Sequence, residues 1–240
     1  MKAIIIGSGV GGLATAIRLA KLGLTVDVFE SNPFPGGKVN SILVGDFRYD
    51  MGPSVCTEPH LVDELVALCG KEKSFFQYSH LKESFRYFFQ DGQKLSLHPG
   101  GENAASLFEK ELGENKETVE NYLANQEKNY KAVYPVFIEV SLHRIKHWLN
   151  ESFWKAISRL FKYGIAKSMH KVNVKTFKNP KTVKIFDRFA TYNGSSPYKT
   201  PGMLNIISHL ELNVGPVMPK GGMVAISNTL YNLSLELGVK

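Results

Sequence analysis

Acidic residues are in short supply: 22 Asp and Glu face 29 Lys and Arg, leaving a formal charge of +7 with histidine neutral. Such a balance invites polyanionic partners, but no recognised nucleic-acid motif accompanies it, so nucleic acid is not an expected partner. An anionic membrane surface suits the charge better. Cysteine is scarce as well. Cys56 and Cys69 alone cannot build a disulfide framework, and two reduced thiols are expected. The 7 histidines show no paired ligand spacing of the zinc kind, so no metal site is expected. Long hydrophobic runs are missing. The first one, Ala3 to Ile6, is broken by Gly7 and is too short for a signal-peptide core. The uncharged stretch from Ala3 to Ile17 is glycine-rich and too short to span a bilayer. Repeats and low-complexity segments are also absent. The expectation is a cytoplasmic protein, dissolved or lying on the inner face of the membrane. The N-x-S sequons at Asn150, Asn193 and Asn232 carry no weight in that compartment.

What is present begins at once. Ala3-Ile4-Ile5-Ile6 runs into Gly7-Ser8-Gly9-Val10-Gly11-Gly12, and Glu30 ends the next apolar run, Val26 to Phe29. This is strand, glycine turn, helix, strand and acid, the order of a dinucleotide-binding βαβ unit. Gly7 permits the tight turn, Gly9 lets the backbone approach a pyrophosphate, and Gly12 lets the helix pack close to the sheet. The helix N-terminus offers free N–H groups and a positive dipole end to the phosphates. Glu30 is placed to accept hydrogen bonds from a ribose. Leu13, Ala16, Ile17, Ala20 and Leu24 repeat at helical spacing, and Gly23 is the expected stop.

A second glycine motif follows Glu30. Gly36-Gly37-Lys38 suggests another close backbone approach with a phosphate or ribose contact, and Phe47, Arg48, Asp50, Gly52, Pro53 and Ser54 come next. An NAD-dehydrogenase has no need of this loop so soon after the acid. The pattern resembles the FAD-binding head of carotenoid desaturases, the phytoene-dehydrogenase family. The stretch from Arg188 to Tyr198 and the run Pro219-Lys220-Gly221-Gly222-Met223 agree with it, so the resemblance covers nearly the whole chain. Lys38 stands where arginine is commoner, keeping the charge but losing the bidentate fork.

The resemblance implies an α/β fold: a Rossmann-like FAD-binding domain of the glutathione-reductase/amine-oxidase type, with an inserted substrate domain of mixed sheet and helices. The cofactor part is expected over residues 1–80 plus 217–240, and the insert over 81–216. Gly7, Ser8, Gly9, Val10, Gly11, Gly12, Glu30, Gly36, Gly37, Lys38, Gly52 and Pro53 are the implied FAD contacts. The implied activity is desaturation of a carotenoid, phytoene or a hydroxylated relative, in which a hydride and a proton leave neighbouring carbons. No general base stands out, and the polyene itself stabilises an allylic cation, so no catalytic residue is assigned. Two other readings stay open: another amine-oxidase-like flavin oxidoreductase, and a non-catalytic fragment or lipid-binding relative of the prenyl-protein escort kind. Ser227 to Gly238 reads as a helix, and the family's flavin-covering C-terminal segment has no counterpart before Lys240. The chain is therefore expected to be the N-terminal half of a longer enzyme, inactive alone.

The middle divides into three parts. Residues 84–98 read as a hairpin, with Phe85, Tyr87 and Phe89 alternating, Asp91-Gly92 at the turn, and Leu95 and Leu97 returning. These aromatics suit either core packing or the wall of a lipid tunnel. Residues 102–172 read as helices interrupted by Pro135 and near Gly113. Within them Arg144, Lys146, Lys155, Arg159, Lys162, Lys167 and Lys171 are interleaved with Trp148, Phe153, Trp154, Ile157, Leu160, Phe161 and Tyr163. With Trp154, Ile157 and Phe161 on one face, the stretch reads as an interfacial membrane helix, or as a charged solvent face over a core. From Phe186 to Val217 short extended runs and loops are expected. Arg188, Tyr192, Asn193 and Tyr198 are the candidate cavity residues, although Asn193-Gly194 also reads as a plain turn.

Overall fold

The computed structural model describes residues 1–141, 143–144, 148, 151–162 and 164–240. In chain order its elements are β1 (Lys2–Ile6), α1 (Val10–Lys21), β2 (Thr25–Phe29), β3 (Ser41–Val44), β4 (Phe47–Asp50), α2 (His60–Leu68), β5 (Tyr78–His80), β6 (Phe85–Phe88), β7 (Lys94–Leu97), α3 (Gly101–Leu112), α4 (Lys116–Phe137), α5 (Glu151–Lys162), α6 (Met169–Thr176), α7 (Pro180–Asp187), β8 (Val217–Pro219) and α8 (Val224–Glu236). They fall into two compact units, residues 1–81 with 216–240 and residues 82–215.

In the first unit β1 and β2 pair in parallel, with Ile4 opposite Asp27, and α1 crosses between them. The apolar face of α1 is Leu13, Ala16 and Ile17, all buried. Leu24, assigned to that face from spacing, instead lies beyond the turn at Gly23, whose φ of +84° ends the helix. Leu13 and Ile17 share a core with Val62, Leu65 and Val66 of α2 and with Leu230 and Leu233 of α8. Helix α8 starts earlier than the leucine spacing suggests. Gly221 and Gly222 turn with positive φ, and Met223 and Ile226 are buried in the same core. Beyond α8 the backbone of Lys240 joins β2 in parallel fashion, donating to Val26 O (3.1 Å) and accepting from Val28 N–H (2.6 Å). The strands β5 and β8 pair antiparallel, His80 opposite Val217. They bracket the departure and return of the chain around the second unit.

The second unit has its own core. Phe108, Phe177, Phe186, Phe189 and Tyr122 meet there with Leu97, Leu123 and Leu212, and the Phe177 and Phe186 rings stack at 4.4 Å. The hairpin forms as β6 and β7, with Tyr87 opposite Leu95. Tyr87 and Phe89 pack against the core, which favours packing over a tunnel wall for those two rings. Pro135 does not interrupt α4 as expected; it lies inside the last turn. Its missing N–H and its ring cost most in a helix interior, and α4 ends at Phe137, two residues on.

Two further expectations change. Residues 186–217 form helical turns joined by irregular loops in place of extended runs: α7 runs into a 3-10 turn (Arg188–Asn193), a second (Gly202–Ile206) follows after the loop 194–201, and a π-helical turn (His209–Val214) precedes β8. The aromatic and β-branched residues that looked extended fill the helical core instead. In α5 the packed face is Phe153, Ala156 and Ile157 against Val136 of α4. Trp154 is not on that face; it is 62% exposed, because adjacent helical positions sit about 100° apart. Lys146 and Tyr163, and the side chains of Leu160, Phe161 and Lys162, lie outside the described residues. Among those described, no helix is long and apolar enough to cross a membrane.

Candidate functional site: the glycine loops at the head of α1

The turn out of β1 is fixed by Gly7, whose φ is +96° and whose N–H donates to Phe29 O at 2.7 Å. Ser8, buried, follows. Its N–H and its hydroxyl both donate to Glu30 Oε2, at 2.8 and 2.9 Å. On the other carboxylate oxygen, Oε1, the backbone N–H and the side-chain amide of Asn32 donate at 2.9 and 2.8 Å. The Asn32 backbone N–H, then Ser8, hold the Glu30 carboxyl down to about 2. Glu30 is thus a permanent carboxylate that stitches the first glycine turn to the loop after β2.

Gly9 caps α1 in an extended conformation, with no side-chain cap and no acid in the first turn. The first helical bond runs from Leu13 N–H to Gly9 O at 2.9 Å. Among the described residues, the N–H groups of Gly11 and Gly12 therefore remain the unpaired donors of a helix start. No heavy atom lies within 4 Å of the position a Cβ on Gly9 would take. Open space over an uncapped, acid-free helix N-terminus fits a diphosphate. Gly12 has a different necessity: a Cβ there would overlap the Gly7 carbonyl oxygen.

The second glycine pair is explained by the protein's own packing. Gly36 N–H donates to Ser8 O at 2.8 Å, and Gly36 and Gly9 form a parallel bridge. A Cβ on Gly36 would come within 2.7 Å of Ser227 Oγ, and one on Gly37 within 3.2 Å of Gly9 Cα. At this pair the structure shows a close approach of one glycine loop to the other. Gly52 is likewise pressed on the Lys38 carbonyl, which a Cβ would overlap. Pro53 follows it, exposed, as are Gly52 and the Lys38 side chain. Lys38 makes no ion pair among the described residues and is available to an anion at the loop.

Two organisers escaped the sequence reading. Asp50 Oδ2 accepts from Met223 N–H at 3.2 Å, and Ser227 Oγ donates to Val39 O at 2.6 Å. Both tie the second loop to α8 across more than half the chain, a relation that no local pattern encodes. Between Glu30 and α8 lies a cleft of about 260 Å³ bordered by Ser8, Phe34, Tyr231, Leu235 and Val239.

The candidates in the second unit separate. Arg188 and Tyr192 both serve the fully buried Glu211: Arg188 Nη2 pairs with Oε2, and the Tyr192 hydroxyl donates to Oε1. Arg188 Nε also donates to the Tyr87 hydroxyl at 2.7 Å, and the guanidinium lies 4.0 Å over the Phe85 ring. Burial raises the Glu211 pKa, against the opposing pull of Arg188 and Tyr192. Burial likewise raises Tyr87, to about 12. Asn193 is exposed beside the Gly194 turn, and Tyr198 lies exposed against His170, so neither joins this network. Among the described residues no cluster of His, Cys, Asp and Glu could hold a metal.

Comparison with known proteins follows the same lines. Residues 10–240 match the family of flavin containing amine oxidoreductases. The 1-hydroxycarotenoid 3,4-desaturase of a Flavobacterium species is 42% identical over 239 residues, covering all of this chain and 49% of that protein. The carotenoid 3,4-desaturase of Haloarcula japonica is 30% identical over 236 residues, 98% of this chain and 47% of that one. The chain thus spans about half the length of these relatives. Among solved structures, a Pyrococcus furiosus protein superimposes with a TM-score of 0.63 at 17% identity, over 100% of this chain and 50% of its own, which supports the fold alone. A cofactor head of this geometry, matched along its length by flavoproteins, makes the chain a member of the flavin-containing amine oxidoreductase family, with FAD as its cofactor.

Proposed function

We propose that this chain is the FAD-binding and substrate-side half of a carotenoid desaturase, acting on a hydroxylated carotenoid. The observation that carries the reading is the 42% identity across the whole chain to the 1-hydroxycarotenoid 3,4-desaturase. When bound, FAD supplies the two-electron hydride acceptor that dehydrogenation of a C–C bond requires. The chain's own residues hold it: the α1 N-terminus and Gly9 at the diphosphate, Glu30 at the ribose, with the adjoining cleft beside it, and Lys38 with Gly52 and Pro53 at the rim of the second loop. Residues beyond this half cover the flavin and exclude water, which the hydride step demands. To test the reading, the chain is expressed alone and together with the C-terminal half of a family desaturase. Each preparation is then given hydroxycarotenoid-loaded liposomes and an electron acceptor. The pair should yield a product with longer-wavelength absorption and the chain alone none. Peroxide formation from an amine, without desaturation, would overturn the assignment.

The reading includes attachment to the cytoplasmic face of a membrane through the basic aromatic stretch. Support comes from Trp148 and Trp154, which are exposed, with Lys155 also exposed beside the latter. This is the arrangement of an interfacial helix. Replacing Trp154 by Ala and Lys155 by Gln should reduce co-sedimentation with anionic liposomes, and the remaining binding should weaken with salt. Binding unchanged by either would remove this surface as the anchor.

A further inference from the structure

A cleft of about 450 Å³ lies between α4 and α6, and Lys167, Lys171 and Lys175 stand along one side of it. Lys171 and Lys175 are one turn apart on α6, and Lys167 occupies the turn just before it. Like charges at that spacing repel each other on a helix. The paired lysines of the structure are elsewhere; none of these three makes an ion pair among the described residues. The facing wall carries Asn121, Asn125 and Gln126 from α4, and no carboxylate is among the described residues that line the cleft.

Gln126 makes the case specific. It is only 6% exposed. Its Oε1 accepts from Asn129 Nδ2 at 3.4 Å, while its own amide N–H groups donate to nothing among the described residues. Those N–H groups are not sealed from the cleft and are free to donate to a group bound there. The neighbouring Tyr122 hydroxyl is already committed to Asn173 Oδ1, at 3.0 Å. What remains is a cleft with three ammonium groups on one side and neutral amides on the other.

We propose that this cleft binds a phosphate group carrying two or more negative charges. Such a group is acceptor-only and compact, and it suits lysines acting as point charges. A bound phosphate would relieve the repulsion along α6 and give the Gln126 amide its acceptor. The site lies wholly within residues 82–215 and does not rest on the flavin reading. Its phosphate could belong to a soluble ester or to a phospholipid headgroup.

The test is calorimetric titration of the 240-residue chain with inorganic pyrophosphate at fixed ionic strength. Saturable binding is expected, weakened about tenfold or more in the K167Q/K171Q/K175Q variant, whose thermal melt should match the parent. If that variant melts early, the single changes Lys171→Gln and Lys175→Gln should each still weaken binding. A variant with the same loss of charge elsewhere, K21Q/K94Q/K199Q, should bind as the parent does. Absence of saturable binding, equal binding by the cleft variants, or equal weakening by the distant variant would each overturn the proposal. Vesicles of phosphatidylcholine with phosphatidic acid identify the source: competition with pyrophosphate assigns the headgroup, and no competition assigns a soluble phosphate, the site standing in both cases.

Discussion

Residues 82–215 close an aromatic core, with Phe108, Phe186 and Phe189 fully buried, whereas in the cofactor unit Ile6 is 90%, Phe47 69% and Leu43 75% exposed. Strand β1 shows the contrast residue by residue. Ala3 and Ile5 pack with the core under α1, while Ile4 and Ile6, on the opposite face, are exposed. One unit is held by a closed aromatic core. The other joins an aliphatic core to glycines at positions where no side chain fits, and it leaves apolar residues of β1, β3 and β4 exposed.

The comparison can be pressed hardest at the core. Phe186→Ala should cost about 3–5 kcal/mol, the usual range for an emptied aromatic site, read by denaturant unfolding of the second unit. Next in size, Gly12→Ala should destabilise the cofactor unit by about 3 kcal/mol, because the new methyl meets a backbone oxygen that cannot turn away. A loss comparable to that of an exposed helical site would show that α1 can lift from β1. Gly9→Val sharpens the distinction between fold and site. With open space at that position, stability should move by only about 0.5 kcal/mol, while flavin absorbance in the purified complex of both halves disappears. Undiminished flavin would break the diphosphate assignment. Glu30 offers a pH test. Its folded pKa is depressed from 4.5 to about 2, so the stabilising bonds to Ser8 and Asn32 are fully present above pH 4.5 and fade as the pH falls through 2. A carboxyl NMR titration with its midpoint near 4.5 would show those bonds absent in solution. The smallest effect should come at the open face, where Leu43→Ser on β3 changes stability by about 0.5 kcal/mol or less.

How much of this was legible in the sequence follows the same division. The first thirty residues could be read because each glycine answers a local steric demand and Glu30 falls at the end of an adjacent strand. The β6–β7 hairpin was legible from alternation and its Asp91-Gly92 turn. The role of Gly36 and Gly37 was not: their neighbours are Ser227 and Gly9, and close packing between distant segments leaves no periodic trace. The Glu211 network was hidden for the same reason, since Tyr87, Arg188 and Glu211 come from three separated elements. Residues 188–214 misled because aromatic residues between glycines and prolines look extended locally, and only burial against α3 and α4 selects helix. In α5 the spacing that joined Trp154 to Ile157 competed with the equally regular Phe153, Ala156 and Ile157, and packing against Val136 decided between them.

The β5–β8 pair has a consequence in time. Its two strands are separated by the whole of residues 82–215, and the bond from Ser227 to Val39 spans 188 positions. During synthesis the second glycine loop emerges early, yet its bracing from α8 cannot form until the intervening unit has been translated. At about 5–20 residues per second that delay is on the order of ten seconds. The nascent head spends that interval with its loops unbraced, so the second unit, whose core residues all lie within its own span, can fold first, and capture of the dinucleotide becomes a late event in the life of the chain.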